Sequence, residues 1–323
     1  MSATLKVKLA LVGIGVIVIL MLTRGTGAIR YRQPVAVSAV AVERASVRVP
    51  RLEAPPVALP FRKSFVLLDA GTGPKSSLRY AHRGTATFLS ETHLTSRRLA
   101  DGTWSAAQPI TPIRSGFVIT VGERAPTMRA RALPGELLGA PTSDATAFLA
   151  AWKAIEGREL SLELDRRGLL GKIVFADDPK NQRSREANDE VVQRLLTVFV
   201  PVPEEPVGVG ATWRVITVLR QAPAVVRQTA TYKLLGRGPD GWQIGVEILR
   251  FSGPQALDES LELVALVRKL SGTLVVDPGH PLPTGELAFE STLHVRVSDR
   301  ARGRREEIVE DTGVVRLSST SSP

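Results

Sequence analysis

Between Glu286 and Val297 apolar side chains fall on one two-residue phase, at Leu287, Phe289, Leu293, Val295 and Val297, with Glu286, Glu290, His294 and Arg296 on the other. Successive side chains of an extended strand point to opposite faces, so this pattern puts one face in a core and the other in water. The period recurs elsewhere. Leu160, Leu162 and Leu164 alternate with Ser161, Glu163 and Asp165, and Arg166, Arg167 and Gly168 turn the chain into Leu169 to Phe175. Gln228 to Leu235 runs into Gly238, Pro239, Asp240 and Gly241, after which Trp242, Ile244, Val246 and Ile248 share a face, and the strand from Glu286 returns through Arg305 to Leu317. Strands with one wet face belong in an antiparallel sheet. Phe61 to Leu68, Leu78 to Leu94 and Phe117 to Val121 are further strand candidates.

Helical spacing interrupts the strands. Ser143 or Asp144 caps a segment in which Phe148, Ala151, Trp152 and Ile155 recur at helical intervals, ending at Gly157. Ser184 caps a second, where Val191, Val192, Leu195, Leu196 and Phe199 form a stripe before Pro201. Asp258 to Leu270 fits both periods and reads as a helix or a long bent strand. The expected fold class is therefore α+β and mainly antiparallel β, a curved sheet or half-barrel covered by two or three helices.

Lys6 and Lys8 precede an unbroken apolar run from Leu9 to Leu22. That is the layout of an export signal, and the run is shorter than the roughly 20 residues that cross a bilayer straight. Arg24 lies between it and the small residues Thr26, Gly27 and Ala28, where a peptidase could cut, so both a cleaved signal and a retained anchor are open. The expected organisation is a signal peptide or N-terminal membrane anchor over 1–28, a Pro-rich linker over 29–60, and a β-rich exported domain over 61–319. A weak echo between the Pro-rich entries at Ala54 to Pro60 and Val200 to Trp213 leaves open two similar halves with a break near residue 200.

With 43% hydrophobic and 23% charged residues, the chain can bury a core. It has no cysteine, which rules out disulfides, thiolate metal sites, Cys nucleophiles and a lipid-modified Cys. The net charge of +10 is spread along the chain, with one compact run from Arg300 to Arg305 that reads as a hairpin tip, and it favours an anionic membrane surface. Aromatic residues make up 5% and do not interleave with the basic ones, which speaks against nucleic acid as a partner. Asp69 to Ser76 resembles a phosphate loop in composition, but Pro74 stands where a glycine must precede Lys75, so it reads as a turn between strands. Gly208 and Gly210 lack the third glycine of a dinucleotide fingerprint, Trp213 standing in its place, and fit a bulge or a close backbone contact. His82, His93, His280 and His294 show no metal-ligand spacing, and no serine sits on a nucleophile elbow. No catalytic residue, metal site or cofactor is assigned.

Pro203 to Trp213 reads Pro-Glu-x-Pro-Val-x-Val-Gly-x-x-Trp, supported by Gly272 to Asp277 and Pro281 to Leu287. In these segments the chain resembles families of uncharacterised, exported, lipoprotein-like bacterial envelope proteins. The resemblance covers about the C-terminal half and implies an envelope β-domain, without transferring a catalytic residue. The expected function is a non-enzymatic envelope protein, anchored in the inner membrane facing the periplasm or secreted, that binds an apolar or lipid-like ligand or scaffolds envelope proteins. The competing reading is an envelope hydrolase acting on lipid or glycan. For a ligand, the expected lining is Phe148, Trp152, Val192, Leu196, Trp242, Phe289 and Leu293, where a curved sheet closed by helices leaves an apolar cavity. The alternative is that these residues form a close-packed core.

Overall fold

The structure is a computed structural model that describes residues 63–81, 84–121, 127–153, 155–175, 199–221, 224–257, 260–279, 282–299 and 303–322. Its strands are β1 (Lys63–Asp69), β2 (Thr72–Ser76), β3 (Thr85–Ala100), β4 (Thr103–Trp104), β5 (Gln108–Val121), β6 (Thr127–Ala132) and β7 (Glu136–Leu137), then, after the helix α1 (Ser143–Trp152), β8 (Glu159–Leu164) and β9 (Leu170–Phe175). There follow β10 (Val207–Val209), β11 (Thr212–Gln221), β12 (Ala224–Gly238), β13 (Gly241–Ser252), β14 (Gln255–Ala256), β15 (Leu261–Val276), β16 (Thr284–Asp299) and β17 (Gly303–Ser322).

One 15-stranded sheet runs in the order β1, β11, β12, β13, β15, β16, β17, β3, β5, β6, β8, β9, with β14, β4 and β7 as short additions on β15, β3 and β5. Every pairing is antiparallel. Strands alternate as the sequence pattern requires: β13 buries Trp242, Ile244, Val246, Ile248, Arg250 and Ser252 and turns the residues between them outward. The last strand, β17, lies against β3 from Glu307–Ala100 to Ser322–Thr85, which joins the C-terminal run of strands to the N-terminal run in the middle of the sheet.

A sheet this wide with one apolar face must curl over that face, because strand twist accumulates and the apolar side chains need a partner. It does so here. A single core cluster contains Phe117, Met128 and Leu160 from one arm and Trp213, Tyr232 and Ile244 from the other. The segments at Leu78–Ala81 and Phe199–Pro203 fill the space between the arms. The Tyr80 backbone N–H donates to the Arg166 carbonyl at 2.9 Å, and that of Val202 to the Arg167 carbonyl at 2.7 Å. The Tyr80 hydroxyl donates to the Val200 carbonyl at 2.7 Å, and the Trp213 indole N–H to the Pro201 carbonyl at 2.6 Å. At the same end the Arg167 guanidinium, from the β8–β9 turn, lies 4.9 Å from the Phe65 ring centroid on β1, so the two extremes of the sheet meet through side chains.

The small sheet of β2 and β10 explains the glycines around residue 208. A Cβ on Gly208 would lie 2.1 Å from the Thr72 carbonyl oxygen, so only glycine lets the two strands approach. Gly210 has φ of 86°, a left-handed conformation that glycine adopts without strain.

The α+β expectation of a sheet covered by two or three helices is corrected. Among the described residues there is one helix, α1, and the fold is mainly antiparallel β. The stripe from Val191 to Leu196 lies outside the described residues. The ambiguous segment from Asp258 is a strand from Leu261 onward, and a β-bulge made it look helical. The register with β16 slips between Leu263 and Ala265, so the buried phase jumps by one residue, from Leu261 and Leu263 to Leu266 and Leu270. Intervals of three and four residues then imitate a helical stripe on an extended chain. Leu78 and Tyr80 also fall outside β3; they are buried in the filling between the arms.

If the arms are held by this filling, Trp213→Ala should cost about 3–5 kcal/mol of unfolding free energy. Trp213→Phe, which keeps a ring on Tyr232 but leaves the Pro201 carbonyl unpaired, should cost about 1–3 kcal/mol. Urea titration of both variants checks this, and a Trp213→Ala protein as stable as wild type would refute it.

Candidate functional site

On the inner face, the register lines up polar residues in a row across seven neighbouring strands. Thr217 on β11 pairs with Gln228 on β12, Gln228 with Arg250 on β13, and Arg250 with Arg268 on β15. Arg268 pairs with Ser291 on β16, Ser291 with Asp311 on β17, and Asp311 with Ser96 on β3. All but Arg268 are buried.

One step along the strands on either side, the same face is mainly apolar, broken only by the buried Ser252 on β13 and by Arg98 on β3 among the described residues. Toward one end stand Ala230, Ile248, Leu270 and Phe289, members of the large cluster; toward the other stand Val226, Leu266, Leu293 and Val309, members of a smaller one. The polar row thus divides the inner face into two apolar fields. The large field is filled by Tyr80, Trp152, Phe199, Val200 and Val202, which come from outside the strands or from α1. The small field takes only Leu257 from outside the strands among the described residues. Beyond it, near the β16–β17 turn, Glu307 is 3% exposed and paired with Arg98 and with Arg305, whose Nε lies 3.0 Å from Glu307 Oε1.

The charges of the row are one carboxyl and two guanidinium groups. Arg250 Nε donates to Gln228 Oε1 at 2.8 Å. Arg268 Nε lies 3.5 Å from Ser291 Oγ, and its guanidinium sits 5.4 Å from the Phe289 ring centroid. Asp311 is 4% exposed and Ser96 5%. Asp311 Oδ1 and Ser96 Oγ make no hydrogen bond of ordinary geometry among the described residues. Burial pushes the Asp311 carboxyl up from its ordinary value, against the smaller pulls of Ser96 beside it and of Arg268.

The residues expected to line a cavity divide among these fields. Phe148 and Trp152 stack on α1 with ring centroids 6.0 Å apart, and Trp152 meets Phe117 edge-on at 5.7 Å while its indole donates to the Leu133 carbonyl. Trp242, which packs edge-on against Tyr80, and Phe289 belong to the same large cluster, whereas Leu293 lies across the polar row in the small one. Val192 and Leu196 lie outside the described residues. The row itself escaped the sequence reading. Its trace is the gap in the alternation between Phe289 and Leu293, where Ser291 holds a core position, and Arg268 between Leu266 and Leu270 is the same signal.

The outer face carries arginines opposite carboxylates: Arg97 with Glu310, Arg114 with Glu91, Arg296 with Glu262 and Glu306, and Arg316 with Glu286. Such solvent-facing pairs contribute little each. The Glu91, Glu262 and Glu306 carboxyls are held below the ordinary value chiefly by hydrogen bonds from their arginines. Among the described residues no group of three His, Asp or Glu side chains is placed to hold a metal ion, and no helix is long and apolar enough to cross a membrane. The apolar run from Leu9 to Leu22 lies outside them.

No family model matches the chain, and no curated protein matches it. Among solved structures it is similar to a chain described under "lipid-protein interactions in lipovitellin", with a TM-score of 0.34 and 11% identity over 75% of this chain and 26% of that one. This chain therefore spans about a quarter of the lipovitellin chain. A second is the Pseudomonas aeruginosa protein OccK11 (OpdR), with a TM-score of 0.18 and 8% identity over 74% of this chain and 98% of that one. At such TM-scores neither fixes a fold family.

The Asp311 geometry has a sign that can be tested. A carboxyl whose folded-state value is raised holds its proton more tightly in the folded than in the unfolded chain. Stability then falls as pH rises from the ordinary value of 3.8 through the raised one, and stays lower above it. Asp311→Asn removes that cost, so it should melt at a higher temperature than wild type at neutral pH, with the gain shrinking below the ordinary aspartate value. Thermal melts followed by circular dichroism at both pH values check it; a lower melting temperature at neutral pH would show that Asp311 is a net stabilising charge.

Proposed function

We propose that this is a non-enzymatic protein of the bacterial envelope, membrane-tethered or secreted, whose β-domain binds an amphiphilic, lipid-like ligand on its inner face. The observation that carries this reading is the polar row set between two apolar fields. Taking guanidinium and carboxyl groups out of water is costly, and apolar residues of similar volume would serve the core as well or better. A polar row across seven strands that holds three ionisable groups therefore supports a role in recognition. Its layout matches the anatomy of an amphiphile, with a polar head against the row and chains along the adjoining small field, where the described residues supply one covering side chain, Leu257. The basic N-terminal segment with its apolar run fits delivery to a membrane, where such ligands are found.

The full chain, expressed in a membrane-bearing bacterial host and purified with gentle detergent exchange, should show by native mass spectrometry a stoichiometric adduct in the mass range of a membrane lipid. Leu293→Asp, which puts a charge in the small field, should lose the adduct while keeping its far-ultraviolet spectrum. A wild-type protein that stays ligand-free after isolation and after incubation with lipid vesicles would overturn the reading and leave the inner face to the chain itself or to a protein partner.

A further inference from the structure

We propose that the polar row selects a zwitterionic phospholipid with a primary ammonium, taking its phosphate at Arg250 and Arg268 and its ammonium at Asp311 and Ser96. This assignment rests on the inner face being a lipid site and specifies which head that site fits.

The order of charges along the row carries it. The guanidinium groups stand on the adjacent strands β13 and β15, paired directly in register, and the carboxyl stands on β17, with only Ser291 on β16 between. Strand spacing puts Arg268 and Asp311 two steps apart, roughly 10 Å between backbones, and the long arginine side chain can close much of that distance. Guanidinium groups match phosphate oxygens in geometry and charge. At the other end, Asp311 and Ser96 are buried side by side on neighbouring strands, with Asp311 Oδ1 and Ser96 Oγ making no hydrogen bond of ordinary geometry among the described residues, although Ser96 and Arg268 both favour the carboxylate. A buried acceptor left this way is costly, and a ligand donor is what would relieve it.

Other heads fit less well. A purely anionic head would satisfy the arginines but bring negative charge toward Asp311. Glycerol hydroxyls would donate to Asp311 and Ser96 but add no positive charge to that of Arg268 beside the carboxylate. A quaternary choline supplies the positive charge and no N–H donor. A primary ammonium supplies both, with three N–H donors that can reach the Asp311 carboxylate and the Ser96 oxygen together.

The test uses the full chain, incubated with vesicles containing equal amounts of phosphatidylethanolamine, phosphatidylglycerol and phosphatidylcholine of matched acyl chains, re-isolated, and its bound lipid quantified by mass spectrometry. Wild type should enrich phosphatidylethanolamine by about tenfold over each of the others, the scale of one charge-assisted hydrogen bond. Asp311→Asn and Ser96→Ala should each lose most of that enrichment, bringing phosphatidylethanolamine uptake down toward that of the other two lipids, and Arg268→Gln should bind less of all three. Lipid taken up in vesicle proportions by wild type, or an enrichment that survives Asp311→Asn, would overturn the headgroup assignment and leave the inner-face site standing. Absence of any bound lipid would remove both.

Discussion

The structure depends on one constraint: a very wide antiparallel sheet has one apolar face, and the second sheet among the described residues, β2 with β10, has two short strands and is too small to cover it. The solution is to bend the sheet over itself and to fill the interior with a few non-strand segments. Phe199 to Pro203 and Leu78 to Ala81 are the filling, and their backbone groups are satisfied by bonds to the Tyr80 hydroxyl, the Trp213 indole and the β8–β9 turn. Without them the buried carbonyls of Val200 and Pro201 would lose their partners and the arms would lose their common core.

Within that frame the polar row is the feature that packing alone does not explain. Strand pairing holds Arg250, Arg268 and Asp311 at fixed separations, because each is locked to its neighbour by the ladder on both sides. For the proposed ligand, a row held this way is ordered before binding, which would lower the ordering cost. Its cost to the fold is visible at Asp311, where burial works against ionisation. On the proposed reading this is stability given up at a recognition site, a common compromise in proteins that bind.

Much of the β-structure could be read from the chain, since period two leaves a local trace. The hairpins at Leu160 to Phe175, Gln228 to Ile248 and Glu286 to Leu317 correspond to β8–β9, β12–β13 and β16–β17. The helix at Ser143 to Trp152 was legible through its spacing, but its capping side chain is Thr142, whose Oγ1 accepts from the Ala145 N–H at 3.4 Å, and not Ser143 or Asp144, and it ends before Gly157. Leu261 to Leu270 was not, because a bulge changes the phase of burial without changing the type of element. Of the aromatic side chains expected around one cavity, Trp152, Trp242 and Phe289 are buried and Phe148 half-buried, yet Leu293 and Phe289, four residues apart on one strand, belong to different apolar fields.

By itself the sequence determined that the chain forms amphipathic antiparallel strands, because alternation along a strand is a local property, and that it has an apolar, basic-flanked N-terminal run, because hydropathy is additive along the chain. Only the tertiary structure decided that Thr217, Gln228, Arg250, Arg268, Ser291, Asp311 and Ser96 form one row. Residues far apart in the chain become neighbours through strand order and register. A slip of one residue at any ladder would have turned part of the row to the outer face.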